Sequence, residues 1–154
     1  MKIKNKKNFS VLFFSIFLLL IYLFWSSLRP ASIIAVHQDD DYSSVLVKNF
    51  PITEKGKIDW WLKNKDMLKS RYDIPKPSSY GSFTIIFWDY GYGYKEEGKY
   101  DRLCFNDVPP PKNCIDKNIV FYVSYSKNSG MYFITNNKKY YLKENGKIVR
   151  EESD

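Results

Sequence analysis

The stretch FSVLFFSIFLLLIYLFWSSL, from Phe9 to Leu28, contains no charged residue, and fourteen of its twenty residues are Phe, Leu, Ile or Val. As an α-helix with a rise of about 1.5 Å per residue it would reach roughly 30 Å, the thickness of the hydrocarbon core of a bilayer. Each of these four residue types favours membrane insertion by about 0.3 to 0.6 kcal/mol. The stretch therefore predicts a transmembrane helix over residues 9–28, with the lipid bilayer as its partner.

The two flanks of this stretch carry charges of opposite sign. The basic N-terminus, residues 1–8, holds four lysines, and the other flank has Arg29 followed by the acidic run Asp39–Asp41. Positively charged flanks remain in the cytoplasm. We therefore expect a cytoplasmic N-terminus and an exported domain over residues 29–154. The four lysines that set this orientation are Lys2, Lys4, Lys6 and Lys7.

A cleaved signal peptide would begin with the same basic and apolar pattern, but it needs small residues one and three positions before the cut. The pairs available near the end of the stretch are Phe24 with Ser26, Trp25 with Ser27, and Ser26 with Leu28. Each pair contains a large residue, and the apolar run exceeds the usual length of roughly 7 to 15 residues. The sequence therefore favours an uncleaved anchor.

The formal net charge of +7 is concentrated at the N-terminus. From residue 30 to residue 154, 19 Lys and Arg face 17 Asp and Glu, which leaves a charge of only +2. Nucleic-acid-binding domains need a concentrated basic surface. The charge pattern therefore argues against a nucleic-acid partner.

The exported part is predicted to be a small α+β domain with an antiparallel β-sheet and one main amphipathic helix. Apolar residues at Ile58, Trp61 and Leu68 follow helical spacing between Glu54 and Tyr72, after the N-cap candidate Thr53. Twenty-one aromatic residues lie beyond the apolar stretch, a content that suits strands. The predicted strands are Ser32–His37, Ser43–Lys48, Phe83–Trp88, Tyr100–Phe105, Val120–Tyr125, Met131–Thr135 and Tyr140–Lys143.

Both cysteines of the chain, Cys104 and Cys114, lie in the exported part. An oxidising compartment favours their pairing, and closing such a loop is worth about 3 kcal/mol on the chain-entropy model. Two free thiols or part of a metal site are the alternatives. A zinc site needs four ligands, and the only histidine, His37, is far away in the sequence. We therefore favour a disulfide.

No pattern in the sequence predicts a catalytic residue, a bound metal or a cofactor. His37 precedes Asp39–Asp41, but these carboxylates lack the spacing of a calcium loop and are typical of a solvated turn. The glycines at 91, 93 and 98 miss the dinucleotide-binding spacing by two residues. Carboxylates around this loop, with its tyrosines and Trp88 as a platform for sugar rings, leave glycoside hydrolysis open as an alternative: Asp89, Glu96, Glu97 and Asp101.

Aromatic side chains supply the candidate partner surface. Trp60 and Trp61 are adjacent on the predicted helix, so both cannot face one core, and Trp61 shares the face of Ile58. Trp60 is therefore a candidate anchor for a partner, although packing on a loop would explain it equally well. Three tyrosines of the glycine-spaced loop complete the candidate surface: Tyr90, Tyr92 and Tyr94.

Three segments resemble a known family: residues 35–77 (AVHQDDDYSSVLVKNFPITEKGKIDWWLKNKDMLKSRYDIPKP), residues 81–105 (GSFTIIFWDYGYGYKEEGKYDRLCF) and residues 113–118 (NCIDKN). Together with the N-terminal apolar run they are similar to the enterobacterial membrane proteins grouped as domain of unknown function 943. The resemblance covers nearly the whole chain. It implies a bacterial inner-membrane protein with one span, and it implies no catalytic residue.

We therefore predict a non-enzymatic inner-membrane protein whose periplasmic domain binds another envelope protein. An immunity-type protein that neutralises an incoming toxin is one specific version of this function. The alternative is a domain that binds or hydrolyses envelope glycan through the tyrosine-rich loop.

Overall fold

The computed structural model describes residues 4–27 and 29–152, and it divides the chain into two units, Met1–Pro30 and Ala31–Asp154. The first unit contains helix α1, Lys4–Ser27. Its large apolar side chains from Val11 to Trp25 are between 48% and 69% exposed. This helix therefore presents apolar side chains on all sides.

The predicted single transmembrane helix over residues 9–28 is wrong. Within residues 4–27 and 29–152, neither helix is long and apolar enough to cross a membrane. Leu28 lies outside the described residues, and the side chains described in α1 run from Ser10 to Trp25.

The described part of the second unit, residues 31–152, contains one long helix and ten strands. Helix α2 is Glu54–Tyr72, with the bounds that the apolar spacing predicts. The strands are β1 Ser32–Asp39, β2 Tyr42–Lys48, β3 Phe83–Asp89, β4 Lys95–Glu96, β5 Arg102–Cys104, β6 Lys112–Asp116, β7 Ile119–Ser126, β8 Gly130–Thr135, β9 Lys138–Leu142 and β10 Ile148–Arg150. They form a seven-stranded sheet in the order β1-β2-β3-β7-β8-β9-β10 and a three-stranded sheet in the order β4-β6-β5.

The larger sheet is mixed, so the predicted purely antiparallel sheet is also wrong. Strands β2 and β3 pair in parallel, with Val45 opposite Phe87. Helix α2 lies between these two strands in the sequence, and a helical crossover returns the chain to the same end of the sheet. The other neighbouring pairs in this sheet are antiparallel.

Helix α2 is capped at both ends. The Thr53 side chain accepts a hydrogen bond from the backbone N–H of Gly56 at 3.1 Å, which satisfies one of the free amides of the first turn. At the other end Asp73 adopts a left-handed conformation (φ 55°), its N–H donates to the Lys69 carbonyl at 3.0 Å, and the Ile74 N–H donates to the Leu68 carbonyl at 3.4 Å. The apolar face of α2 packs on the larger sheet through Ile58, Trp61 and Leu68.

The main core lies between α2 and the larger sheet. Its centre is Phe87, which is fully buried, and Val45, Ile85 and Phe121 come from the same face of the sheet. The opposite face carries Leu46, Ile86 and Trp88, because side chains alternate along a strand. Over β1, β2 and β3 this opposite face is covered by the three-stranded sheet through Phe105 and Ile115.

Polar contacts also join α2 to the strands. The Lys57 ammonium is buried and donates to the Thr135 hydroxyl at 3.0 Å, and burial lowers the pKa of this lysine. One turn earlier, the Glu54 carboxylate accepts hydrogen bonds from the Lys138 ammonium at 2.7 Å and from the Tyr140 hydroxyl. These bonds to Lys138 and Tyr140 lower the pKa of Glu54 from 4.5 to about 2.

This shift makes the stability of the domain depend on pH. Because the pKa of Glu54 falls on folding, its stabilising contribution is present above the unfolded value of 4.5 and is lost as the pH falls towards about 2. We expect the difference in urea midpoint between the native chain and Glu54→Gln to shrink as the pH is lowered from about 5 to about 2. Glu144→Gln, in the exposed turn after β9, is the control and should leave the midpoint unchanged at each pH. A constant difference for Glu54→Gln across this range would contradict the prediction.

Candidate functional site

A cleft of about 440 Å³ opens on the face of the larger sheet that α2 does not cover. Its floor is formed by Ser44 of β2 with Ile86 and Trp88 of β3, and the segment 103–107, at and after the end of β5, forms its wall. Side-chain alternation explains the floor, because the neighbours Val45 and Phe87 point into the main core. The complete lining is His37, Gln38, Asp39, Tyr42, Ser43, Ser44, Ile86, Trp88, Leu103, Cys104, Phe105, Asn106 and Asp107.

A hydrogen-bond network around His37 forms one side of this cleft. His37 is 8% exposed and stacks on Phe105, with ring centroids 3.8 Å apart. Its Nδ1 atom lies 2.8 Å from both carboxylate oxygens of Asp107, and its Nε2 atom lies 2.7 Å from the Tyr94 hydroxyl. Burial raises the pKa of Tyr94, and Tyr90 and Asp107 raise it further, so this phenol stays protonated.

The network joins three separate parts of the chain. In the neutral form of His37, Nδ1–H donates to Asp107 and Nε2 accepts the hydrogen bond from Tyr94. Both ring nitrogens are therefore occupied, and neither is free to take a proton from a serine or a water. This arrangement orients Asp107 at the mouth of the cleft, where its side chain remains 59% exposed.

The floor of the cleft is also ordered. The Trp88 indole Nε1–H donates to the Ser44 hydroxyl at 3.2 Å, so the indole ring is held against the sheet. Trp88 is nearly buried and packs with Leu46 and Phe105. The only charged side chains in the lining are the acids Asp39 and Asp107, since the lining contains no Lys or Arg. The cleft therefore combines an apolar floor with an acidic mouth.

Three partly exposed tyrosines continue the cleft floor across the sheet; we call Tyr122, Tyr132 and Tyr141 the tyrosine stripe. Tyr122 lies opposite Ile86 in the β3–β7 pair. The ring centroids of Tyr122 and Tyr132 are 6.1 Å apart, and those of Tyr132 and Tyr141 are 6.2 Å apart. The stripe lies on the sheet face opposite the main core, because Phe121 and Phe133 point to α2.

Charged side chains order the stripe. The Lys139 ammonium lies 4.6 Å from the Tyr132 ring centroid and 4.8 Å from that of Tyr141. The neighbouring Tyr141 side chain is the main cause that raises the pKa of Lys139. The Tyr141 hydroxyl in turn donates to the Glu151 carboxylate at 2.8 Å. The rings of Tyr132 and Tyr141 are thereby held in place.

The four aromatic residues predicted as a partner surface do not lie together. Trp60 packs in the main core against Phe50, with ring centroids 5.0 Å apart. Tyr90 and Tyr94 contact each other edge to face at 5.4 Å and pack on the cluster beneath the three-stranded sheet. Tyr92 is 99% exposed at the tip of the loop.

Cys104 and Cys114 lie directly opposite each other in the β5–β6 pair, and their sulfur atoms are 2.09 Å apart, at disulfide distance. This pair ties together the strands behind the cleft wall. The four N-terminal lysines cannot be placed, since Lys2 lies outside the described residues and the other three outside the described side chains. Within residues 4–27 and 29–152 no group of three or more His, Cys, Asp and Glu could hold a metal.

Sequence reasoning missed the partner of His37. It considered the neighbouring run Asp39–Asp41, whereas His37 pairs with Asp107, 70 residues away. Such a contact depends on how the three-stranded sheet lies over the larger one, and local spacing carries no sign of it. The sequence does contain a signal for the tyrosine stripe, because Tyr122 and Tyr132 alternate with the core residues Phe121 and Phe133 along their strands.

Comparison of the chain with curated proteins and with solved structures gives no match. A protein family described as "Enterobacterial putative membrane protein (DUF943)" matches residues 2–152. The match covers nearly the whole chain, so the protein belongs to this enterobacterial membrane protein family of unknown function.

Proposed function

We propose that the domain formed by residues 31–154 binds another envelope protein through the tyrosine stripe. The observation that carries this proposal is the row Tyr122, Tyr132 and Tyr141 on a sheet face that α2 does not cover, with the rings of Tyr132 and Tyr141 ordered by Lys139. Tyrosine gives a large contact area and a hydroxyl while losing little side-chain entropy. A surface that is ordered beforehand loses still less entropy when it binds.

The same proposal places this domain in the periplasm at the inner membrane. The cysteine pair at disulfide distance supports an oxidising compartment. The family description supports a membrane location, and the exposed apolar side chains of α1 between Val11 and Trp25 would contact lipid. An immunity-type protein that neutralises an incoming toxin is one version of this function, because it needs a rigid binding surface and no reaction.

Envelope glycan binding through the tyrosine-rich loop has less support. A platform for sugar rings needs several exposed faces, and Tyr90 and Tyr94 pack against each other and on the cluster beneath the three-stranded sheet. Tyr92 at the loop tip is the one ring of the three that is fully exposed. The stripe is therefore the better candidate surface.

Site-specific photo-cross-linking in living cells tests the proposed surface. We expect a benzophenone amino acid in place of Tyr132 to give a discrete, protease-sensitive adduct on illumination, because this side chain would lie inside the interface. The same amino acid in place of Asp59, exposed on α2, is the matched control and should give no such adduct. Adducts of equal yield at both positions, or an adduct at Tyr132 that resists protease and dissolves with muramidase, would contradict a protein partner at the stripe.

A further inference from the structure

We propose that the cleft beside the tyrosine stripe takes a lysine or arginine side chain presented by the protein partner. This inference rests on the proposed function, because the cleft floor and the stripe form one continuous surface through Ile86 and Tyr122. A partner that lies on the stripe would therefore reach the cleft without further movement of the chain.

The floor suits the aliphatic stem of a basic side chain. Ile86 and Trp88 present apolar surface, and the Trp88 ring is held by its hydrogen bond to Ser44 at 3.2 Å. Lysine and arginine bury their methylene stems on apolar surface while the charged head remains solvated. Arginine and lysine are also attracted to the face of a tryptophan ring.

The mouth of the cleft suits the charged head. Asp107 and Asp39 are the charged residues in the lining, and both are acidic. His37 holds Asp107 through Nδ1 at 2.8 Å, so one carboxylate is positioned before the ligand arrives. A carboxylate is the natural partner of a guanidinium or an ammonium group.

The charge of this cleft contrasts with that of the rest of the domain. From residue 30 onward the chain carries more Lys and Arg than Asp and Glu, yet the cleft lining contains neither basic type. A volume of about 440 Å³ falls in the usual range for binding clefts. An acidic side chain or a free anion would be repelled from this cleft, which leaves a basic side chain as the occupant that fits both the floor and the mouth.

The test follows the Trp88 indole N–H signal by NMR in the full chain, labelled with ¹⁵N and held in detergent micelles. The probes are the blocked tripeptides Gly-Arg-Gly, Gly-Glu-Gly and Gly-norleucine-Gly. We expect the arginine peptide to move this signal in a saturable way, the norleucine peptide to move it far less, and the glutamate peptide to leave it in place. A shift of equal size with the glutamate peptide would overturn the proposal.

Charge reversal gives a second readout. Asp39→Lys should abolish the saturable shift, and Asp39→Asn should weaken binding of the arginine peptide about two- to fivefold, the range for one exposed charge pair. Asp39 is exposed, so neither change is expected to disturb folding. Asp59→Lys on α2 is the control and should bind like the native chain.

These experiments distinguish a failure of the cleft proposal from a failure of the proposed function of the stripe. If the Tyr132 position cross-links to a protein while the arginine peptide leaves the Trp88 signal unmoved, the cleft proposal is overturned and the proposed function stands. A second outcome is that the arginine peptide binds, that Asp39→Lys abolishes its binding, and that no position of the stripe cross-links. The cleft proposal then stands, and the stripe is excluded as the partner surface.

Discussion

Replacing Phe87 by alanine is expected to lower the free energy of unfolding by about 3 to 5 kcal/mol, the usual cost of removing a buried phenylalanine ring. This ring is fully buried, and its centroid lies 5.2 Å from that of Phe50, 5.6 Å from that of Phe121 and 5.7 Å from that of Trp60. Its removal leaves a cavity where α2 meets the larger sheet. The measurement is urea unfolding followed by tryptophan fluorescence.

Two matched variants make this result interpretable. Phe87→Leu keeps most of the side-chain volume and is expected to cost less, about 1.5 kcal/mol. Tyr92→Ala removes a ring that is 99% exposed, and its effect should stay within about 0.5 kcal/mol. Equal losses for Phe87→Ala and Tyr92→Ala would show that Phe87 does not lie in the core.

Removal of the cysteine pair is expected to have the second largest effect. The double change Cys104→Ser with Cys114→Ser should lower the free energy of unfolding by about 2 to 4 kcal/mol, because the unfolded chain regains the freedom of the loop between them. This loss of stability should first affect β5 and β6, behind the cleft wall. Urea unfolding of the native chain with and without a thiol reductant measures it.

The reduced native chain should unfold at the same urea concentration as the double variant. Reductant should have no effect on the double variant, which serves as the control for other actions of the thiol. An unchanged midpoint on reducing the native chain, together with alkylation of both thiols without reductant, would contradict the bond and the oxidising compartment that it supports.

Much of the scaffold could be predicted because it depends on local patterns. Helix α2 follows from the spacing of Ile58, Trp61 and Leu68 and from the Thr53 cap. Strand β3 follows from its continuous apolar run, which is typical of a strand buried on both faces. Capping, alternation and helical spacing all act within a few residues, so one sequence suffices to recognise them.

Within residues 31–152, the errors concern relations between distant segments. The parallel pairing of β2 with β3 depends on where α2 returns the chain, and the short strands β4 and β6 depend on their partners. For Trp60 the spacing left two alternatives open, an anchor for a partner and packing on a loop, and Phe50 from the loop before α2 packs against it. For the same reason the contact of His37 with Asp107 required the structure.

None of β4, β5 and β6 is paired with the seven-stranded sheet, so no backbone ladder connects the floor of the cleft to its wall. Side chains such as Phe105, Ile115 and His37 make that connection instead. Sequence changes between residues 95 and 116 can therefore alter the width and chemistry of the opening while the supporting framework keeps its hydrogen bonds. The opening of the cleft can thus change independently of the seven-stranded sheet.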